Sequence, residues 1–159
     1  MTVPYDIPSR EMLLALVNQD NNTSIPMDAV QFGNPALRFG NYNTTVVMSP
    51  STYSNLTGTR PLNYNRLDIE IFLGANPSIF SNDIATSFDL AKAINEEYNL
   101  DIREDDIVNE AVIGNIHILR MHENSFAWYG DVLITILSDD VQLSSVIFTS
   151  HLSGLSYPS

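Results

Sequence analysis

The sequence predicts an α+β fold: a mainly antiparallel sheet of about five strands, with two or three helices packed on one side. Three observations carry this. Apolar residues recur at helical spacing near residues 12–17 and 88–98. Leu67, Ile69, Ile71 and Leu73 alternate with Asp68, Glu70 and Phe72, the period of a strand with one buried face. Asn115 to Met121 and Asp131 to Leu137 alternate in the same way across a link of hairpin length, which favours antiparallel pairing.

In chain order, Pro4 and Pro8 keep the first residues extended. A helix then starts at Pro8-Ser9-Arg10-Glu11, with Ser9 or Asp6 as its cap. Met12, Leu13, Leu16 and Val17 form its apolar face. Asn18 to Ser24 ends it, because short polar side chains compete for backbone hydrogen bonds. Pro26, Gly33, Pro35 and Gly40 break residues 25–40 into two short strands, near Ala29–Phe32 and Ala36–Phe39. Asn43 to Met48 is a β-branched run and the next strand. Residues 49–61 read as a long polar loop, followed by the Leu67–Leu73 strand. Gly74 to Asp83 reads as another loop.

A second helix runs from Thr86 or Ser87 to Tyr98, burying Phe88, Ala91, Ile94 and Tyr98 and wetting Lys92, Asn95 and Glu96. Arg103-Glu104-Asp105-Asp106 opens a short third helix, with acids in the first turn where its dipole favours them. Ile107, Val108 and Ala111 are expected to pack inward. In the last third, Ile116 and Ile118 oppose His117, Leu119 and Met121, and Val132, Ile134 and Ile136 oppose Leu133, Thr135 and Leu137. The second of these strands is apolar on both faces and is placed centrally. Val141 to Thr149 adds a candidate last strand. Residues 1–150 are assigned to one domain and 151–159 to a loose C-terminal tail.

Composition bounds function. The 159 residues carry a formal net charge of −12, from 19 acids against 7 bases. A chain this acidic is ill suited to gripping nucleic-acid phosphates or an anionic membrane surface. No window is apolar enough to span a membrane. Only 16% of residues are charged, so the polar surface rests on Asn, Ser and Thr, which suits packing against other subunits. The absence of cysteine excludes disulfides, thiolate catalysis and cysteine-based zinc sites. The first residues lack the basic and apolar regions of a signal peptide, and an intracellular product is expected.

No catalytic, cofactor-binding or metal-ligating pattern stands out. His117, His122 and His151 are scattered. Asp101, Glu104, Asp105 and Asp106 lack the spacing and glycine of a calcium loop and read as a solvated helix start. Neither a nucleophile elbow nor a phosphate loop is present, and the many acids single out no hydrolytic pair. The aromatic residues are more informative. Phe126, Trp128 and Tyr129 precede the central strand, and Tyr53 and Tyr64 punctuate the middle of the chain. Trp and Tyr are favoured anchors of protein contacts. With Arg66, these make the candidate interface residues. The competing reading is a turn pinned to the core by Trp128. Arg66 is expected to pair with Asp68 or with an acid on a helix.

Asn43-Thr44-Thr45-Val46-Val47, followed across a loop by Tyr64-Asn65-Arg66-Leu67-Asp68-Ile69, resembles a module of virion structural proteins of giant contractile-tailed bacteriophages. Phe88 to Asn95, Leu100-Asp101-Ile102, Asp105-Asp106-Ile107 and Trp128 to Ile134 are similar to its later segments, and Leu14 to Asn18 and Val30 to Pro35 to its earlier ones. The Ser/Thr-rich loop at 49–61 departs from the pattern, which has a glycine followed by aromatics there. The resemblance spans roughly residues 10–137. It implies a non-enzymatic subunit of a phage particle, in tail, baseplate or neck, made in the host cytoplasm and held in the virion. Its partners would be other virion proteins, in a homo-oligomer or a hetero-oligomeric ring, with no cofactor, nucleic acid or membrane. A minor capsid-associated protein is the nearest variant. A small binding module using the aromatic turn 126–129, for a glycan or a host protein, is the alternative from another class, and an acidic hydrolase the third.

Overall fold

The computed structural model describes residues 2–138, 149 and 151–158. It is an α+β protein with antiparallel-dominated sheets. Helix α1 (Ser9–Asn21) is followed by β1 (Val30–Phe32), β2 (Ala36–Leu37), β3 (Thr44–Pro50) and β4 (Arg60–Tyr64). Next come β5 (Leu67–Asp68), α2 (Ile69–Leu73), β6 (Ser78–Phe80) and α3 (Ser87–Tyr98). Strands β7 (Ile116–Arg120), β8 (Trp128–Tyr129) and β9 (Asp131–Leu137) follow.

These strands divide among three small sheets. In the first, β3 is central: β1 and β2 lie end to end along one side of it and β4 pairs along the other, all antiparallel. The second sheet is the parallel pair β5–β8. The third has the order β6-β9-β7, so β9 is central as its two apolar faces predicted. Its link to β7 is the expected hairpin, closed where Met121 N–H donates to Gly130 O at 3.0 Å.

Two clusters of apolar side chains underlie this. The larger joins Ile69 and Leu73 of α2, Leu90 and Ile94 of α3, Leu119 of β7, Trp128, and Val132, Ile134 and Ile136 of β9. The smaller holds Leu13, Val46 and Tyr64. Helix α1 serves both, because its successive residues Met12 and Leu13 enter different clusters. Neither Ser9 nor Asp6 caps α1. Pro8 occupies the cap position without a side-chain bond, and Ser9 is already inside the first turn and buried. The C-terminal end matches the polar stop. Asn22 is left-handed, and the Asn18 side chain exchanges hydrogen bonds with the backbone of Ile25.

The Leu67–Leu73 strand is corrected. Only Leu67 and Asp68 are extended, and the rest is helix α2. The switch occurs at Asp68, whose Oδ1 accepts from Glu70 N and Ile71 N as an N-cap. Ile69 and Leu73, four apart, then share the buried side, while Ile71 is 82% exposed. Phe72 turns inward against Trp128 with ring centroids 5.0 Å apart, where the strand reading had put it outside.

The third helix is a single 3-10 turn, Glu104–Asp106. Ile107 packs inward as expected, but Val108 and Ala111 are exposed. One strand begins inside an expected loop and another lies wholly within one. β4 ends the 49–61 loop early by pairing Arg60–Tyr64 with Thr44–Met48, its Pro61 lying on an edge strand where a missing donor is tolerated. β6 lies inside the Gly74–Asp83 segment. Helix α3 starts as predicted, with a full capping box between Thr86 and Asp89. The candidate strand Val141–Thr149 lies outside the described residues except at Thr149. Residues 151–158 are exposed and carry no regular structure.

Candidate interaction surface

Five of the six sequence-derived interface residues come together at one junction, where the first sheet meets the 122–129 turn. At its centre is Arg66, only 5% exposed. Its Nε donates to Thr44 Oγ1 at 2.9 Å, and one terminal nitrogen donates to Glu123 O at 2.9 Å and Ser125 O at 3.0 Å. The expected ion pair with Asp68 is absent, because Asp68 is committed to capping α2. All of these Arg66 partners are neutral oxygens. Burial lowers the pKa of Arg66, partly countered by Tyr64 and Tyr129.

The surrounding bonds extend this clasp. Asn43 and Arg66 exchange two: Arg66 N donates to Asn43 Oδ1 and Asn43 Nδ2 donates to Arg66 O. Asn65 Oδ1 accepts from Asn43 N at 2.9 Å. The Tyr64 hydroxyl donates to Phe126 O at 2.8 Å, and burial raises its pKa above the ordinary tyrosine range. On the far side, Ser125 Oγ donates to Asp106 Oδ1 at 2.6 Å and accepts from Trp128 N at 3.2 Å. Asp106, expected among solvated acids, is therefore a buried acceptor that orders the turn.

Trp128, 1% exposed, pins this turn to the larger core. Arg66, Tyr64 and Trp128 are thus buried in the fold and offer little surface. Phe126 and Tyr129 are half-buried. Tyr53 stands apart, 95% exposed in the loop between β3 and β4.

The open apolar surface lies elsewhere, on the outer face of the third sheet. Ile118 pairs in register with Leu133, Ile116 with Thr135, and Phe80 with Leu137, so these side chains share one face. Phe80 is 80% exposed, and Ile116, Ile118 and Leu133 are also exposed. At one end the register pair Arg120 and Asp131 forms an ion pair at 3.2 Å, with Glu110 3.4 Å from Arg120. The alternation of β7 and β9 signals this face in the sequence. The register that aligns it, and the contribution of Phe80, do not follow from the residues alone.

One further pair has the form of a reactive site. Ser87 Oγ lies 2.8 Å from His117 Nε2, the contact that activates a nucleophilic hydroxyl. Ser87 is wholly buried, so the contact is a brace between α3 and β7. Ser87 also bonds the backbone of Glu110. Burial lowers the pKa of His117, opposed by Glu110 and reinforced by Arg120. Among the described residues no group of three His, Asp or Glu could hold a metal ion, and no helix is long and apolar enough to cross a membrane.

The fold and this surface define an α+β protein with an internal arginine clasp and an uncovered apolar sheet face. The chain belongs to a family of unknown function, DUF7941, which matches residues 2–159. No curated protein and no solved structure matches it.

Proposed function

We propose that this chain is a non-enzymatic structural subunit of a bacteriophage particle, in its tail, baseplate or neck, working by assembly with other virion proteins. The observation that carries the assembly part is the outer face of β6-β9-β7. A contiguous set of large apolar side chains on a soluble surface marks a contact with another macromolecule. The low charge content and the Asn-, Ser- and Thr-rich surface support the same reading. The particle itself is supported by the sequence resemblance, including Tyr64-Asn65-Arg66-Leu67-Asp68-Ile69. Residues of that segment build the clasp, which accounts for a shared motif without reactive chemistry.

Quantitative mass spectrometry of purified particles tests this. The expected result is that the chain is present at a fixed ratio to the tail-tube protein that follows the rotational symmetry of a tail or baseplate layer. Absence from purified particles, with the chain abundant in the same lysate, would overturn the proposal.

A further inference from the structure

The Arg66 clasp leaves one donor unused. Nε and Nη1 make its bonds to Thr44, Glu123 and Ser125, and the other terminal nitrogen, Nη2, has no hydrogen-bond partner among the described residues. No buried side-chain nitrogen or oxygen of those residues lacks a partner, so Nη2 is open to solvent. Arg66 lines a cleft of about 530 Å³ between β2 and the 122–130 turn. His122, Glu123 and Tyr129 share its wall, and Pro35 and Leu37 make it partly apolar.

We propose that this cleft binds one carboxylate group, held by Arg66 Nη2 and the Tyr129 hydroxyl. The site uses none of the outer-face residues of the third sheet and is independent of the phage assignment.

The charge of Arg66 is unmatched inside the chain. A buried cation is costly unless an opposite charge accompanies it, and every partner of Arg66 is a neutral oxygen. The groups that oppose the effect of burial on its pKa are Tyr64 and Tyr129, with no carboxylate among them. Glu123 is the one acid on the cleft wall. It is exposed, and it gives Arg66 its backbone oxygen alone. Asp68 stands behind Gly130, with its Oδ1 held by the first N–H groups of α2. An anion from outside would supply what these acids do not, through charge-assisted bonds.

A second donor is in place. The half-buried Tyr129 hydroxyl makes no hydrogen bond among the described residues and lies near enough to act on the Arg66 charge. His122 has Nδ1 taken by Asn124 N at 3.1 Å, so its neutral ring carries the proton on Nε2 and adds a donor to the wall. The charge count selects the class of anion. One arginine, no lysine and an acid at the rim suit a single negative charge, not the nearly two of a phosphate monoester. Pro35 and Leu37 suit an apolar group beside the carboxylate. The cleft is large enough for a small organic acid or for the acidic side chain of another protein.

Proton–nitrogen NMR of the isotope-labelled full-length chain tests this, read at Arg66 Nε–H and at the backbone N–H of Asn124 and Gly130. The probes are N-acetyl-leucinate, its uncharged amide, inorganic phosphate, and a blocked glycyl-glutamyl-glycine amide whose one carboxylate is on a side chain. Ionic strength is held constant. The expected result is saturable movement of these signals with a carboxylate probe and none with the uncharged amide. Tighter binding of N-acetyl-leucinate assigns the site to a free acid or a chain end, and tighter binding of the peptide to an acidic side chain; either supports the proposal. Neither Tyr129 nor Leu37 makes a clasp bond, so their variants leave the clasp in place. Tyr129→Phe is expected to weaken binding about tenfold, as loss of one bond to a charged group. Leu37→Asp, at a position 73% exposed on the wall, is expected to abolish it by repulsion. Tyr53→Phe, in the loop between β3 and β4, is the control and is expected to bind like the unmodified chain. No saturation by either carboxylate probe below ~50 mM would overturn the proposal. So would equal movement with the uncharged amide, tighter binding of phosphate, or unchanged binding in both Tyr129→Phe and Leu37→Asp.

Discussion

Arg66 shows why a residue's role depends on what its neighbours have already done. An arginine in so acidic a chain is expected at the surface beside a carboxylate, where the pair contributes little. Here the nearest candidate in sequence, Asp68, is occupied by the backbone of α2. Arg66 instead reaches inward, and its fork of donors meets the backbone carbonyls of Glu123 and Ser125. Lysine has the charge but not the fork, and cannot satisfy Thr44 and both carbonyls with the same geometry. Arg66→Lys is therefore expected to destabilise the fold by about 2 kcal/mol, read from urea unfolding. A loss under about 0.5 kcal/mol, the range of ordinary surface changes, would show that the clasp is not a structural centre. Gly130 is fixed by a related constraint. Its φ of +87° favours glycine, and a Cβ there would stand 3.3 Å from the capping carboxylate of Asp68.

At the scale of elements, short segments are decided by their ends. In Leu67–Leu73 the apolar pattern fits a strand through 67, 69, 71 and 73 and a helix through 69, 72 and 73. Seven residues are too few for periodicity to choose. The carboxylate of Asp68 and the turn at Gly74 choose helix. Helix α3 is longer, and its Thr86–Asp89 capping box is written in the sequence, so its limits are legible. Its N-terminal end is also braced to β7 by Ser87 and His117. That brace carries a pH dependence. Burial holds the folded-state pKa of His117 below its ordinary value of 6.5, with Glu110 opposing and Arg120 assisting. As pH falls below 6.5 the unfolded chain takes up this proton first, so stability drops on acidification and is unaffected by His117 above that range. His117→Gln is expected to flatten the stability profile between its folded-state pKa and 6.5, measured by chemical denaturation across pH. An unchanged slope in the variant would remove His117 as the cause.

At the scale of the whole molecule, helix α1 and the Arg66 clasp connect the two apolar clusters. Helix α1 contributes Met12 to one cluster and Leu13 to the other. Tyr64 of the smaller cluster bonds Phe126 O, and Arg66 ties β3 to the turn that Trp128 anchors. The single tryptophan thus reports on the larger cluster, while the first sheet reports on the smaller. Trp128 fluorescence and far-UV circular dichroism are expected to change in one coincident transition. Loss of strand signal before Trp128 responds would instead define the first sheet as a separately opening unit.

The sequence by itself determined the α+β class, both long helices, the hairpin of β7 and β9 and the central place of β9. These rest on local signals: periodicity over a dozen residues, a capping box, and a run of apolar residues on both faces of one strand. Tertiary structure alone decided the rest. It made α2 a helix, started β4 inside one segment that read as a loop and placed β6 within another, split the strands into three sheets and chose, of the two places the sequence allowed Trp128, the core. Helix α2 depends on its capping ends at Asp68 and Gly74, and each of the other outcomes on a partner far away in the chain. A strand of two or three residues has no pattern of its own until another strand pairs with it, and an aromatic residue is buried only when distant elements close over it. The open face of the third sheet is the same lesson from outside: its apolar side chains are written in β7 and β9, but only the strand register places them, with Phe80, on one surface.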